Sequence, residues 1–334
     1  MKQLRNPFAE KEASLFIIQT PFQALCAINA IRQLNISNYV LALHLHPQTE
    51  NRNKQTIELI ERYGLKYNLE KTEAIGPSKL FGLLFQHRGH FNRVFLGTHL
   101  YHDGYYYSLK ELNNGGDLIL LDDGVATVTL LEGKYRVTGV SKVNKAWYGF
   151  IASLRSIKLN NVLTVYKDIV NPKWKIEINN ISTLREPELQ TISKSIYFIG
   201  TDSSVLIAQR DVVESDFKEM LYDVLKQIKD RYPQDSIIYI PHGSDKSTFT
   251  NDYCEELGID YKPLSVNVEN YILSIKIIPH IVYGFTSSAL YNLKMIFPET
   301  EVNNIVTKVL TDKLPSIISI SDYYEKEGIN TINI

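Results

Sequence analysis

The sequence predicts an α/β protein of two successive Rossmann-like halves, with mainly parallel sheets facing a cleft. Two observations carry this. Short apolar runs alternate with amphipathic stretches, and the alternation pauses once, at a polar segment over 182–194, before it resumes. The chain has 334 residues, too many for one ordinary core and suited to two. A βαβα rhythm packs as a parallel sheet with helices on both faces.

The first apolar run, SLFIIQ at 14–19, reads as a buried strand bounded by Thr20-Pro21. A helix follows over 22–34, with Leu25, Ile28, Ile31 and Leu34 at helical spacing. Pro21 suits its start, because the missing N–H would be unpaired there anyway. NYVLALHLH at 38–46 is the second strand and 55–63 a helix. RVFLG, within 92–97, is a short strand, and DLILLDDG at 117–124 a strand running into a turn. Residues 141–179 are less regular, with Trp147, Tyr148 and Trp174 scattered through them, and read as peripheral helices and strands at the domain border. The polar segment 182–194 contains Pro187 and reads as the linker. The expected domains are 1–188 and 189–334, with the last segment a candidate to pack back on the first. In the second half, SIYFIG at 195–200 is a strand. An amphipathic helix over 216–232 carries Phe217, Leu221, Leu225 and Ile228 on one face. SIIYIPHG at 236–243 is a strand ending in a loop, and HIVYGFTSSAL at 280–290 a strand, a turn and a helix start. No short-period repeat or low-complexity tract interrupts this order.

Composition excludes several function classes. The 36 basic and 37 acidic residues give a formal net charge of -1, without the basic excess of a nucleic-acid binder. The hydrophobic share, 44%, is that of an ordinary globular protein. The two cysteines, Cys26 and Cys254, have no ligand spacing, so a disulfide framework or zinc site is not expected. They read as reduced, buried residues of a cytoplasmic protein. The polar start MKQLRNPFAEKEAS has no apolar segment of signal-peptide type, and no run approaches 18 apolar residues. A peripheral contact with the inner membrane stays open. The 21 tyrosines suit sugar and base contacts as well as ordinary cores.

Five motifs carry side chains fit for chemistry, four of them at strand ends, where open α/β sheets bind ligands. Asp122-Asp123-Gly124 follows the run 118–121. A carboxylate there can serve as general base toward a hydroxyl, the pair can hold a divalent metal, and Asp-Gly also makes a plain turn. Pro241-His242-Gly243-Ser244 puts an imidazole after a buried strand. With a pKa near neutrality it can donate to a phosphate or protonate one, although most of the eight histidines must be ordinary loop residues. Thr286-Ser287-Ser288, after Gly284, offers hydroxyls at a helix start, for capping or for phosphate. Glu269 opens a helix; it can accept both hydroxyls of a ribose or simply favour the helix dipole. Gln19-Thr20-Pro21-Phe22-Gln23 closes the first strand, with Thr20 a natural cap. No GxGxxG follows that strand, which disfavours an oxidoreductase.

In this order, the motifs resemble the bacterial sialyltransferases of the GT-B fold, above all glycosyltransferase family 52 and more loosely families 80 and 38. Those families share an Asp-Asp/Glu-Gly motif at a strand end, a His-Pro motif and a serine pair. The counterparts here are Asp122-Asp123-Gly124, His242 and Ser287-Ser288, and FIIQTPFQALCAI resembles the first strand and helix of family 52. The islands span roughly 15–293. The resemblance implies Asp122 as general base, His242 as phosphate ligand and acid, Ser287 and Ser288 on the CMP phosphate, and Glu269 on the ribose. Gly200, Thr201, Asp202 and Gly243 would lie beside the nucleotide. Thr20, Pro21, Gln23, Asp123 and Gly124 would lie on the acceptor side. The proline precedes the histidine here, a departure compatible with another nonulosonic acid as donor.

A CMP-linked sugar leaves with one phosphate, so one base, one acid and fixed hydroxyls suffice. A diphosphate donor asks for more positive charge, and the motif islands bring only Lys246 and, more distantly, Arg210. The implied reaction is an inverting, metal-independent transfer of sialic acid from CMP-sialic acid, or of a related CMP-nonulosonate, to a glycan of lipooligosaccharide or capsule type, with no cofactor. Two alternatives stay open. One is a UDP- or GDP-sugar transferase of the same fold with Asp122 and Asp123 on a metal; the other is a non-enzymatic nucleotide- or sugar-binding module.

Overall fold

The computed structural model describes residues 13–43, 50–65, 91–97, 117–132, 161–185 and 191–334. The chain divides into two compact units, Met1–Asn180 and Ile181–Ile334. Each is built on a six-stranded sheet whose strands all run parallel.

In the first unit the chain runs β1 (Ala13–Ile18), α1 (Pro21–Gln33), β2 (Tyr39–Leu43), α2 (Glu50–Arg62), β3 (Phe91–Gly97), β4 (Asp117–Leu121), α3 (Ala126–Leu131), β5 (Asn161–Thr164) and β6 (Lys175–Ile178). The sheet order is β2-β1-β3-β4-β5-β6. Every residue of β1 is buried, as expected of a central parallel strand covered on both faces. Phe16 of β1 stacks on Phe95 of β3 with centroids 4.3 Å apart. At the far edge, β6 alternates exposed and half-buried residues. Helix α1 begins as predicted, with Pro21 at its start and Thr20 Oγ1 accepting the Gln23 N–H.

The sequence placed peripheral elements over 141–179. Its described part holds strands β5 and β6, which follow β4 and complete one edge of the first sheet. At four residues each, they are too short to stand out by pattern. Trp147, Tyr148 and the end of the predicted second strand, including His46, lie outside the described residues. The expected linker also has structure. Ile181–Leu184 makes a 3-10 turn with Ile181 and Leu184 buried, and Thr191–Ile192 forms strand β7. Pro187 lies outside the described residues.

The second unit continues with β8 (Ile196–Ile199), α4 (Ser203–Gln209), α5 (Glu214–Arg231), β9 (Ile237–Ile240), α6 (Phe249–Leu257), β10 (Asp260–Tyr261), α7 (Val268–Ile275), β11 (Ile277–Ile278), β12 (Ile281–Gly284), α8 (Ser288–Ile296), β13 (Glu301–Val306), α9 (Lys308–Thr311), α10 (Ser316–Lys326) and β14 (Asn330–Asn333). Its sheet order is β10-β9-β8-β12-β13-β14, with β7 paired to β11 apart from it. Renumbered within the unit this is 3-2-1-4-5-6, the order of dinucleotide-binding sheets, whose direction reverses between β8 and β12. The final segment, the candidate to pack back on the first half, forms edge strand β14 of this sheet.

Helix α5 follows from its sequence. Glu214 and Asp216 lie in the first turn and Lys229 and Arg231 in the last, each complementing the helix dipole. Phe217, Met220, Leu221, Val224, Leu225 and Ile228 form its buried stripe. Burial of each large apolar side chain stabilises the unit by about 1.5–3 kcal/mol. Both cysteines are buried, and burial pushes the Cys254 thiol up to about 12.

Candidate functional site

In each unit the predicted residues collect at the carboxyl ends of the strands, and the two groups are built differently.

In the first unit, β4 delivers Asp122, Asp123 and Gly124, and Gly124 takes the left-handed φ of 69° that the turn requires. The neighbouring carboxylates meet opposite environments. Asp122 is fully buried. Its Oδ1 accepts the Thr164 hydroxyl and its Oδ2 the Val165 N–H, both at 2.6 Å. Desolvation outweighs these donors and pushes its carboxyl up to about 7. Asp123 is half-buried, and its N–H donates to Thr127 Oγ1. Its Oδ1 accepts from the Gln23 amide at 2.9 Å, while Gln23 Oε1 accepts the Gln19 N–H. Gln23 thereby ties the end of β1 to the end of β4. A Cβ on Gly97, at the end of β3, would collide with the Gln23 amide, so the backbone passes close only because glycine stands there.

In the second unit, three strand ends converge on the crossover point. After β8 come Gly200, Thr201 and Asp202. A Cβ on Gly200 would sit 2.5 Å from the Tyr239 hydroxyl. Asp202 caps α4, its Oδ1 accepting the Val205 N–H at 3.0 Å. After β9 comes the loop with His242 and Gly243. His242 is half-exposed, with Nδ1 2.8 Å from Ser244 Oγ and 3.7 Å from Asp202 Oδ2. Asp245 accepts the hydroxyls of Ser203, Ser204 and Ser247, binding this loop to α4.

After β12 come Thr286, Ser287 and Ser288. Thr286 has a φ of 34°, unusual for a branched residue, and Asn304 Oδ1 accepts both its N–H at 2.7 Å and its hydroxyl at 3.0 Å. Ser287 caps α8 by accepting the Ala289 N–H, and its carbonyl accepts the Tyr324 hydroxyl. Glu269 lies in the first turn of α7 and is buried. It accepts from the Asn267 amide at 2.8 Å and the Asn292 amide at 2.7 Å. Among the described residues, Asn267 Oδ1 and Asn292 Oδ1 are buried without a hydrogen-bond partner.

Sequence reasoning missed Thr164 and Thr127 around Asp122, and Asn267, Asn292, Asn304 and Asp245 in the second unit. Their polar types are unremarkable alone, and their partners are distant in sequence. The described residues contain no group of three or more His, Cys, Asp and Glu side chains gathered for a metal, and no helix long and apolar enough to cross a membrane.

No protein-family model and no curated protein sequence matches the chain. Solved structures do. The α/β-galactoside α-2,3-sialyltransferase of Photobacterium phosphoreum superposes with a TM-score of 0.57 at 12% identity, over 96% of this chain and 99% of that one. The GT-B domain of the Photobacterium damselae sialyltransferase gives 0.53 at 10% identity, over 97% and 100%. The UDP-GlcNAc 2-epimerase of Neisseria meningitidis, bound to UDP-GlcNAc, gives 0.52 at 10% identity, over 95% and 94%. With two parallel six-stranded α/β units and these likenesses, the chain has the GT-B fold.

Proposed function

We propose that the chain is an inverting glycosyltransferase that moves sialic acid, or a related nonulosonic acid, from its CMP donor to a terminal sugar hydroxyl of a cell-surface glycan. The observation that carries this reading is the gathering of His242, Ser287 and Ser288 at the carboxyl ends of β9 and β12, beside the point where the second sheet reverses. Two of the similar structures are sialyltransferases.

In this reading the second unit holds the nucleotide. Ser287, Ser288 and the start of α8 face the phosphate, with Gly200, Thr201 and Gly243 beside it. Glu269 takes the ribose hydroxyls. The orphan oxygens of Asn267 and Asn292 call for hydrogen donors, which ribose hydroxyls supply. The first unit supplies the base. Asp122 is the base that the resemblance implies; its oxygens are buried and engaged, and in this reading the half-buried Asp123 takes the role.

Asp123 takes the proton of the acceptor hydroxyl, and that oxygen attacks the anomeric carbon opposite the phosphate. The carbon–phosphate-oxygen bond breaks, its electron pair staying on the phosphate. His242 gives that oxygen a proton, and the configuration inverts. One phosphate develops little charge, so the reading includes no metal.

The test is transfer by the full chain, followed by mass spectrometry of galactoside acceptors. CMP-sialic acid and UDP- or GDP-sugars are compared as donors, with and without EDTA. Transfer from the CMP donor that EDTA leaves intact is expected. Transfer from a UDP- or GDP-sugar alone, loss with EDTA, or acceptor-independent consumption of UDP-GlcNAc contradicts it.

A further inference from the structure

Asp202 and Ser244, from two chain segments, line up beside His242. Asp202 Oδ1 is committed to the Val205 N–H at the start of α4. Its Oδ2 accepts the Ser244 hydroxyl at 2.6 Å. The same Ser244 oxygen lies 2.8 Å from His242 Nδ1. A carboxylate only accepts, so the single Ser244 proton points at Asp202. The Ser244 oxygen then meets Nδ1 with lone pairs alone, and Nδ1 must carry the hydrogen between them. The Ser244 backbone N–H also approaches Nδ1, at 3.4 Å, but it is the longer and weaker contact.

We infer that Asp202 and Ser244 form a relay that fixes the tautomer of His242, holding hydrogen on Nδ1 so that Nε2 faces the leaving group. Asp202, expected from the sequence to lie beside the nucleotide, is then a positioning residue acting through His242. The relay rests on the transferase reading for its purpose, but its geometry does not. With Nδ1–H anchored, Nε2 is the nitrogen that gains and gives protons. As the bond between the sugar and the phosphate oxygen breaks, the Nε2 proton passes to that oxygen, and the ring returns to neutral with Nδ1–H in place. The other charged groups of the loop are Asp245, held by Ser203, Ser204 and Ser247, and Lys246, whose N–H donates to Ser204 Oγ.

D202N reverses the relay in place. Asparagine still offers Oδ1 to the Val205 N–H, which turns its Nδ2 toward Ser244. Ser244 must then donate to Nδ1, and neutral His242 carries its hydrogen on Nε2. General acids contribute about 10²–10⁴-fold. His242 is half-exposed, so water replaces part of the relay and the expected loss of kcat/KM is about tenfold.

The experiment uses the full chain as wild type, D202N, S244A and S244T. It reads ¹⁵N-histidine NMR, with His242 assigned by comparison with H242Q, and the pH profile of CMP-sugar turnover. Wild type is expected to show the Nδ1–H form. D202N should switch to Nε2–H, and its pH profile should depart from that of the wild type. S244A should lose the tautomer preference, and S244T, which keeps the hydroxyl, should restore it. An Nδ1–H preference and pH profile unchanged in both D202N and S244A overturn the relay, and S244A alone decides if D202N does not fold. An inactive wild type refutes the transferase reading and leaves the NMR to judge the relay.

Discussion

Replacing Asp122 by asparagine tests how the buried carboxyl is held. In the folded chain Asp122 is pushed from an ordinary 3.8 up to about 7, desolvation being the largest cause and the Thr164 and Val165 donors opposing it. A carboxyl that binds its proton more tightly when folded stabilises most below the unfolded value. That stability is lost as pH rises through the folded value. Integrated from pH 5 to 8, the difference removes about 2–3 kcal/mol from the wild-type unit. At a slope of about 1–3 kcal/mol per molar urea, the midpoint falls by about 0.7–3 M over that range. D122N fits the same space: its Oδ1 can face the Val165 N–H and its Nδ2 the Thr164 oxygen, which already accepts the Tyr166 N–H. It has no proton to lose, so this pH slope should vanish. Both tryptophans, Trp147 and Trp174, belong to the first unit, so urea titrations followed by tryptophan fluorescence report it selectively. An equal slope in wild type and D122N refutes the reasoning, because Asp122 would then be ionised in the folded chain.

Three further outcomes follow from the geometry. D123N should lower kcat by about 10²–10⁴-fold with CMP affinity within about twofold, measured by transfer rate and calorimetry; near-normal turnover would return the base to Asp122. E269Q puts an amide among the Asn267 and Asn292 donors, and CMP affinity should fall about tenfold or more, the range of a charge-assisted hydrogen bond. G284A places a Cβ 2.9 Å from the Ile199 carbonyl oxygen, which backbone pairing holds in place. It should cost about 1–3 kcal/mol, or about 2–10 °C in Tm by circular dichroism.

Much of the fold was legible because its strands are buried on both faces. LFII, LILL and IYFI stand out as unbroken apolar runs, and Thr20-Pro21 and Gly124 mark the turns where the chain needs them. Strands β5 and β6 were not legible, since four residues, one set alternating at an edge, give no periodic signal. The positions of the site residues followed from one rule, that chemistry collects beyond strand ends. Their environments did not. Nothing in Asp122-Asp123 says which carboxylate is buried. Thr164, 42 residues away, and Gln23, 100 residues away, make that difference. Likewise the clamp on Glu269 needs Asn292, brought alongside by the packing of α7 and α8.

Calorimetric titration of the full chain with CMP and with UDP tests the donor assignment most directly. CMP is expected to bind at one site, to weaken when Ser287 and Ser288 are both changed to alanine, and to outcompete UDP. Tighter binding of UDP, or CMP binding that the serine changes leave untouched, would contradict a CMP-sugar site at the end of β12.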